Sequence, residues 1–125
     1  SEEEMAAAIK PHYFLAGTWD RWLSPQEMIW NPDGGYFQSY LNLGPAGRES
    51  FQILLDNDWG LVLHPGGMGD GPSEVLGPSE LSYCQGLTWT IGASQEDRGR
   101  PGARYVVRLF VKDDLPVRVE WARRG

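Results

Sequence analysis

Tyr36-Phe37-Gln38-Ser39-Tyr40-Leu41-Asn42-Leu43 is the stretch that decides the fold. Phe37, Leu41 and Leu43 point one way, and Tyr36, Gln38, Tyr40 and Asn42 point the other. A period of two belongs to an extended chain with one face against a core. Just before it, Asn31-Pro32-Asp33-Gly34-Gly35 combines the residues that turns require. Just after it, Arg48 to Asp56 repeats the alternation, with Phe51, Ile53 and Leu55 on one face and Ser50 and Gln52 on the other. Asp56-Asn57-Asp58 then reads as the turn of a hairpin whose second arm is Gly60 to His64.

Further out the same grammar holds. His12 to Gly17 and Glu27 to Trp30 read as short strands, and Leu87 to Ile91 places Leu87, Trp89 and Ile91 on one face. Tyr105, Val107, Leu109 and Val111 make one face of a long strand whose other face is Arg104, Val106, Arg108 and Phe110. Lys112-Asp113-Asp114 turns the chain into a last strand through Val117, Val119 and Trp121. Gly66 to Gly86 has no usable period and reads as one long irregular loop, either functional or an insertion. A helix is expected only over residues 1–10, ahead of Pro11. About eight short strands separated by turn signals predict an all-β, immunoglobulin-like antiparallel sandwich over residues 12–125, behind a linker or short helix at 1–11.

Composition bounds the function. The 16 Gly and 9 Pro suit short strands and turns. The formal net charge of −6 repels phosphate backbones, so nucleic acid is a poor partner. Six tryptophans without positive charge suit a neutral ligand with flat apolar faces, such as a sugar. The single cysteine, Cys84, excludes an intrachain disulfide and favours an intracellular or organellar reducing compartment. No apolar run approaches the ~20 residues of a membrane span, and no signal peptide is visible. Ser1-Glu2-Glu3-Glu4 lacks an initiator Met and reads as a linker within a longer protein.

Tyr13-Phe14-Leu15-Ala16-Gly17-Thr18-Trp19-Asp20-Arg21-Trp22 is a strand ending in Gly-Thr, followed by an aromatic, two polar residues and Trp. This resembles the opening motif of the glycogen-binding modules of carbohydrate-binding module family 48, which includes the β-subunit module of the AMP-activated kinase, and is similar to that of the related starch-binding family 20. Met28 falls where that family has an apolar residue. Asp33-Gly34-Gly35-Tyr36-Phe37 resembles its D-x-x-G-x-F/W, and Leu43-Gly44-Pro45-Ala46-Gly47 its L-P-x-G turn. Glu49 to Trp59 resembles its hairpin ending D-G-x-W, and His64-Pro65 its D-P. The resemblance covers roughly residues 12 to 65, about half of the chain.

The resemblance implies that Trp22 and Trp59 stack on glucose rings. The family's sugar-binding Lys falls at Gln52, which can donate and accept but lacks charge-assisted strength. Parity places Gln52 on an outer face, opposite Phe51, Ile53 and Leu55. Tyr36, with Gln38 and Tyr40, forms an outward row that extends the site or is simply a solvated face. Trp22 and Trp59 read equally as lids over a sheet edge, whereas Trp19, Trp30, Trp89 and Trp121 are assigned to the core.

Nothing marks an enzyme, a cofactor or a metal site. Cys84 with His12 or His64 has no local signature of a thiol dyad, and the Cys and His spacing does not suit zinc. Asp56-Asn57-Asp58 lacks the glycine of a calcium loop, and Gly66-Gly67-Met68-Gly69-Asp70-Gly71 lacks the Lys-Ser/Thr of a phosphate cradle. The expected function is a non-catalytic α-glucan-binding module, working beside other domains or subunits of a larger protein. The alternative is a structural or protein-interaction sandwich that has lost its sugar site.

Overall fold

The computed structural model describes residues 10–125. Its strands are β1 (Tyr13–Gly17), β2 (Gln26–Glu27), β3 (Ile29–Asn31), β4 (Tyr36–Asn42), β5 (Glu49–Leu55), β6 (Val62–His64), β7 (Ser73–Glu74), β8 (Leu76–Ser79), β9 (Trp89–Ile91), β10 (Arg104–Lys112) and β11 (Leu115–Arg124). They form two antiparallel sheets packed face to face, an all-β sandwich. The first sheet runs β2-β1-β5-β6-β8 with β9 also on β5, and the second runs β3-β4-β10-β11-β7. The helix expected over residues 1–10 lies, but for Lys10, outside the described residues.

Alternation sets which side chains fill the space between the sheets. Phe37 and Leu41 of β4 enter the same core as Phe51 and Ile53 of β5 and Tyr105, Val107 and Leu109 of β10. Trp89 and Ile91 of β9 join them, with Trp89 stacked on Phe51 at 5.6 Å between ring centres. Each such large side chain, fully removed from water, contributes about 1.5–3 kcal/mol. Trp19, Trp30 and Trp121 pack half-buried around that core, as their sequence context predicts.

Two turns carry conformational cost. Asp56 and Asn57 both have φ of 56°, and Asp113 and Asp114 have φ of 53° and 62°. Two consecutive left-handed residues match the twist of the strands they join, and Asn and Asp tolerate that region best after glycine.

The strand assignment departs from the sequence reading in two places, and Leu87, expected on one face with Trp89 and Ile91, packs instead against the cluster of Ala16, Leu54, Val62 and Cys84. The strand expected over Glu27 to Trp30 is two strands in different sheets: β2 pairs β1, β3 pairs β4, and the chain crosses between sheets at Met28. Met28 is buried, and its N–H donates to the Tyr13 carbonyl at 2.8 Å. The stretch 66–86 is not one irregular loop. It holds β7, β8 and a one-turn helix, Leu81–Cys84. Strand pairing by neighbours fixes these short segments where period gives no signal.

At the β1–β2 edge, His12 Nδ1 lies 2.7 Å from the Glu27 carboxylate. The hydrogen bond and charge of Glu27, joined by Asp56, raise the His12 pKa above its ordinary 6.5 against a small opposing desolvation. A raised pKa means that the protonated pair stabilises the fold fully below the unfolded value and ceases to do so as pH rises through the folded value. His12→Gln should therefore lower the denaturation midpoint at pH 5.5 and leave it unchanged at pH 8.5. Because both side chains are exposed the effect is small, and an NMR titration of His12 is the direct reading. A titration at or below 6.5 refutes the pairing.

Candidate ligand-binding site

The outer face of the first sheet is not open to solvent. Ala16, Leu54, Val62 and Cys84 form a second, smaller core there, against which Phe14, Trp22, Trp59, Leu81 and Leu87 pack. The cover is the segment leading from β8 through the one-turn helix into β9. Its backbone is tied down where Leu81 N–H donates to the Trp59 carbonyl at 3.0 Å.

Trp22 reaches this face through an unusual backbone. After a 3-10 turn at Thr18–Asp20, Arg21 and Trp22 both take left-handed φ, 60° and 65°. A bulky residue there costs about 1–2 kcal/mol, so the surroundings must hold it. Trp22 N–H donates to the Gly17 carbonyl at 2.9 Å. The Thr18 hydroxyl donates to Glu49 at 2.6 Å and accepts from the Ser50 N–H at 2.9 Å, which latches the turn onto β5. Trp59 follows the Asp56-Asn57 turn, where Asp58 accepts from the Gly60 N–H at 2.7 Å. The two indoles meet edge to face, 6.2 Å apart and inclined at 65°.

Between them lies a hollow of about 460 Å³ lined by Trp22, Gln52, Trp59, Leu81, Gln85, Gly86 and Thr88. None of these side chains is charged. Larger hollows exist, including one of about 720 Å³ beside Tyr40 and Arg104. The smaller hollow joins two tryptophans to the neutral polar side chains of Gln52, Gln85 and Thr88, the mix of flat apolar faces and a few polar groups that small-molecule sites favour.

The structure brings Trp22, Trp59 and Gln52 together and corrects two expectations. Gln52 has the predicted parity but is only 2% exposed, not on an open face. Its amide nitrogen donates to the carbonyls of Cys84 at 3.1 Å and Leu87 at 2.9 Å, so it braces the cover rather than waiting for a hydroxyl. Its amide oxygen has no partner among the described residues. Tyr36 does not belong to the site at all. It sits on β4 in the other sheet, packs on Phe110 at 5.3 Å and under the Arg108 guanidinium at 4.9 Å, and accepts from Asn31 at 3.1 Å.

Leu81, Gln85, Gly86 and Thr88 are the lining residues that sequence reasoning missed, since they fall in or next to the Gly/Pro-rich stretch. Two glycines of that stretch have a steric reason: at Gly69, with φ of 68°, a Cβ would collide with the Thr88 carbonyl, and at Gly77, with φ of 94°, with the Val62 carbonyl. Cys84 is buried, its thiol pKa raised by desolvation, and it donates weakly to the Glu80 carbonyl at 3.6 Å. His64 bonds Pro65 and Ser79. Among the described residues no cluster of His, Cys, Asp or Glu is arranged to hold a metal ion, and no helix is long and apolar enough to cross a membrane.

Comparison with protein-family models, with curated proteins and with solved structures gave no match.

Proposed function

We propose that the chain is a non-catalytic module that binds α-glucan through the Trp22–Trp59 hollow. The observation that carries this reading is the pairing of two half-buried indoles, 6.2 Å apart, across a hollow lined only by neutral residues. A flat aromatic face buries the C–H face of a sugar ring at little entropic cost. Gln85, Thr88 and the amide oxygen of Gln52 supply donors and acceptors for hydroxyls, and an anionic or cationic ligand finds no counter-charge in the lining. The inclination of the two rings suits a bent chain of α-linked glucose better than a flat, straight one. The likeness of Tyr13 to Trp22 and of Glu49 to Trp59 to the glycogen- and starch-binding modules points to the same ligand. Such a module holds a linked activity near its polysaccharide by raising effective concentration.

One observation favours the alternative, an interaction module without sugar binding. Trp22 and Trp59 also close the smaller core, and the amide nitrogen of Gln52 is already spent on the cover.

Isothermal titration with β-cyclodextrin and maltoheptaose decides between them. The wild type should bind, and Trp22→Ala should weaken binding by at least about tenfold, equivalent to 1.4 kcal/mol. Tyr36→Ala, on the opposite sheet, should bind as the wild type does. Absence of heat with either glucan from a folded sample refutes the sugar reading.

A further inference from the structure

Among the described residues, the C-terminal part of β11 forms an unpaired edge. Leu43 N–H donates to the Ala103 carbonyl at 2.9 Å and Val111 N–H to the Gly35 carbonyl at 3.1 Å. In an antiparallel ladder residues that exchange hydrogen bonds recur every second position. The odd-numbered residues of β10 therefore turn their backbone groups to β4, and the even-numbered ones turn to β11. There they meet Arg118, Glu120, Ala122 and Arg124. The odd-numbered residues of β11 consequently aim N–H and C=O at its far side.

β7 covers only the first of these. Val75 N–H donates to the Val117 carbonyl at 3.3 Å, and Val119 lies opposite Ser73. Beyond Ser73 stands Pro72, and the chain turns away to Gly69, whose carbonyl accepts from Thr90 N–H at 2.7 Å. Among the described residues nothing pairs with the backbone of Trp121 or Arg123. Their four groups form one side of a ladder about 7 Å long.

The surroundings of this edge have the opposite sign to the molecule. Arg118, Arg123 and Arg124 lie on β11, Arg104 lies opposite Arg124, and the Arg98 carbonyl accepts from Arg123 at 3.4 Å. Of the nearby carboxylates, Glu120 pairs with Arg118 at 2.8 Å, and Asp97 accepts from the Trp121 indole at 2.8 Å and from Gly92 N–H at 2.9 Å, while Glu74 of β7 stands opposite Arg118 at the covered end of the edge. A second copy of the chain on this edge brings arginine against arginine, which disfavours self-pairing.

We propose that the Trp121–Arg124 edge takes up an extended acidic peptide segment as an added strand of the second sheet. Main-chain hydrogen bonds to Trp121 and Arg123 supply the register, and the arginines select acidic side chains. This surface lies on the other sheet from the Trp22–Trp59 hollow and does not depend on it.

The test is fluorescence anisotropy with a labelled peptide of alternating Glu and Val, and with its Lys-Val counterpart. The acidic peptide should bind, more weakly as salt is raised, and the basic one should not. Arg123→Ala should weaken binding through charge alone. Arg123→Pro, which also removes an edge N–H that β10 does not use, should weaken it at least about tenfold further. Equal binding of the acidic peptide by Arg123→Pro and Arg123→Ala, or no binding to the folded wild type, overturns the proposal. So does a dimer of the free chain in sedimentation that Arg123→Pro dissolves. If Arg123→Pro loses its native near-UV circular dichroism, amide exchange of the wild type decides: slowing at Trp121 and Arg123 on adding peptide supports the strand, and unchanged exchange overturns it.

Discussion

Trp89→Ala should lower the melting temperature by roughly 10–20 °C, the largest single effect expected in this protein. The indole is 0% exposed, lies on Phe51, and its N–H donates to the Ser73 hydroxyl at 2.8 Å. Removing it deletes apolar burial, leaves a cavity between the sheets and takes away the donor that ties the Ser73 hydroxyl of β7 to β9, leaving that hydroxyl only its bond to the Glu74 carbonyl. Tryptophan-to-alanine changes in cores cost about 3–5 kcal/mol, a large share of the 5–15 kcal/mol that holds a domain together. Tyr83→Ala is the matched control: that ring is 81% exposed and should be silent within about 0.5 kcal/mol. Thermal unfolding followed by circular dichroism reads both. A small shift for Trp89→Ala would mean that the two sheets do not depend on this contact.

Gln52→Met is expected to do two things at once. Methionine keeps the volume of the side chain and removes its polar atoms, so the Leu87 carbonyl loses its donor and Cys84 keeps only the Leu87 N–H. An unmade buried hydrogen bond of this kind costs about 1–3 kcal/mol. The loss falls locally, on the cover between β8 and β9, so amide exchange there should accelerate before the sheets open. Glucan binding should fall with it although both tryptophans remain, because Leu81, Gln85 and Thr88 are held in place by that cover. Unchanged stability would show that Gln52 does not brace the segment. Retained binding by a destabilised protein would separate the cover from the sugar site.

The faces of the long strands were legible in the sequence because period two maps directly onto inward and outward. Phe37 and Leu41, Phe51 and Ile53, and Tyr105, Val107 and Leu109 all point where their spacing predicts. β7 and β8 were not legible. Two to four residues that include Ser, Gly and Pro carry no period, and only their partners β11 and β6 make them strands. Gln52 illustrates a different loss. Parity gives the direction of a Cβ and not what lies beyond it, so an outward residue was expected in the open and is instead under a cover. Tyr36 failed for want of pairing information: alternation marks a face without saying which sheet the face belongs to. The left-handed turn that brings Trp22 beside Trp59 follows from the latch of Thr18 on Glu49, a contact 31 residues apart that no local pattern encodes.

The crossing at Met28 has a mechanical meaning. The chain has one cysteine and so no disulfide of its own to tie one sheet to the other. Here a single residue of main chain, between β2 and β3, spans from sheet to sheet. Sliding one sheet over the other must drag Met28 out of the core and break its bond to Tyr13. The backbone therefore acts as a rivet that no reductant can open, and the two halves of the sandwich yield together or not at all.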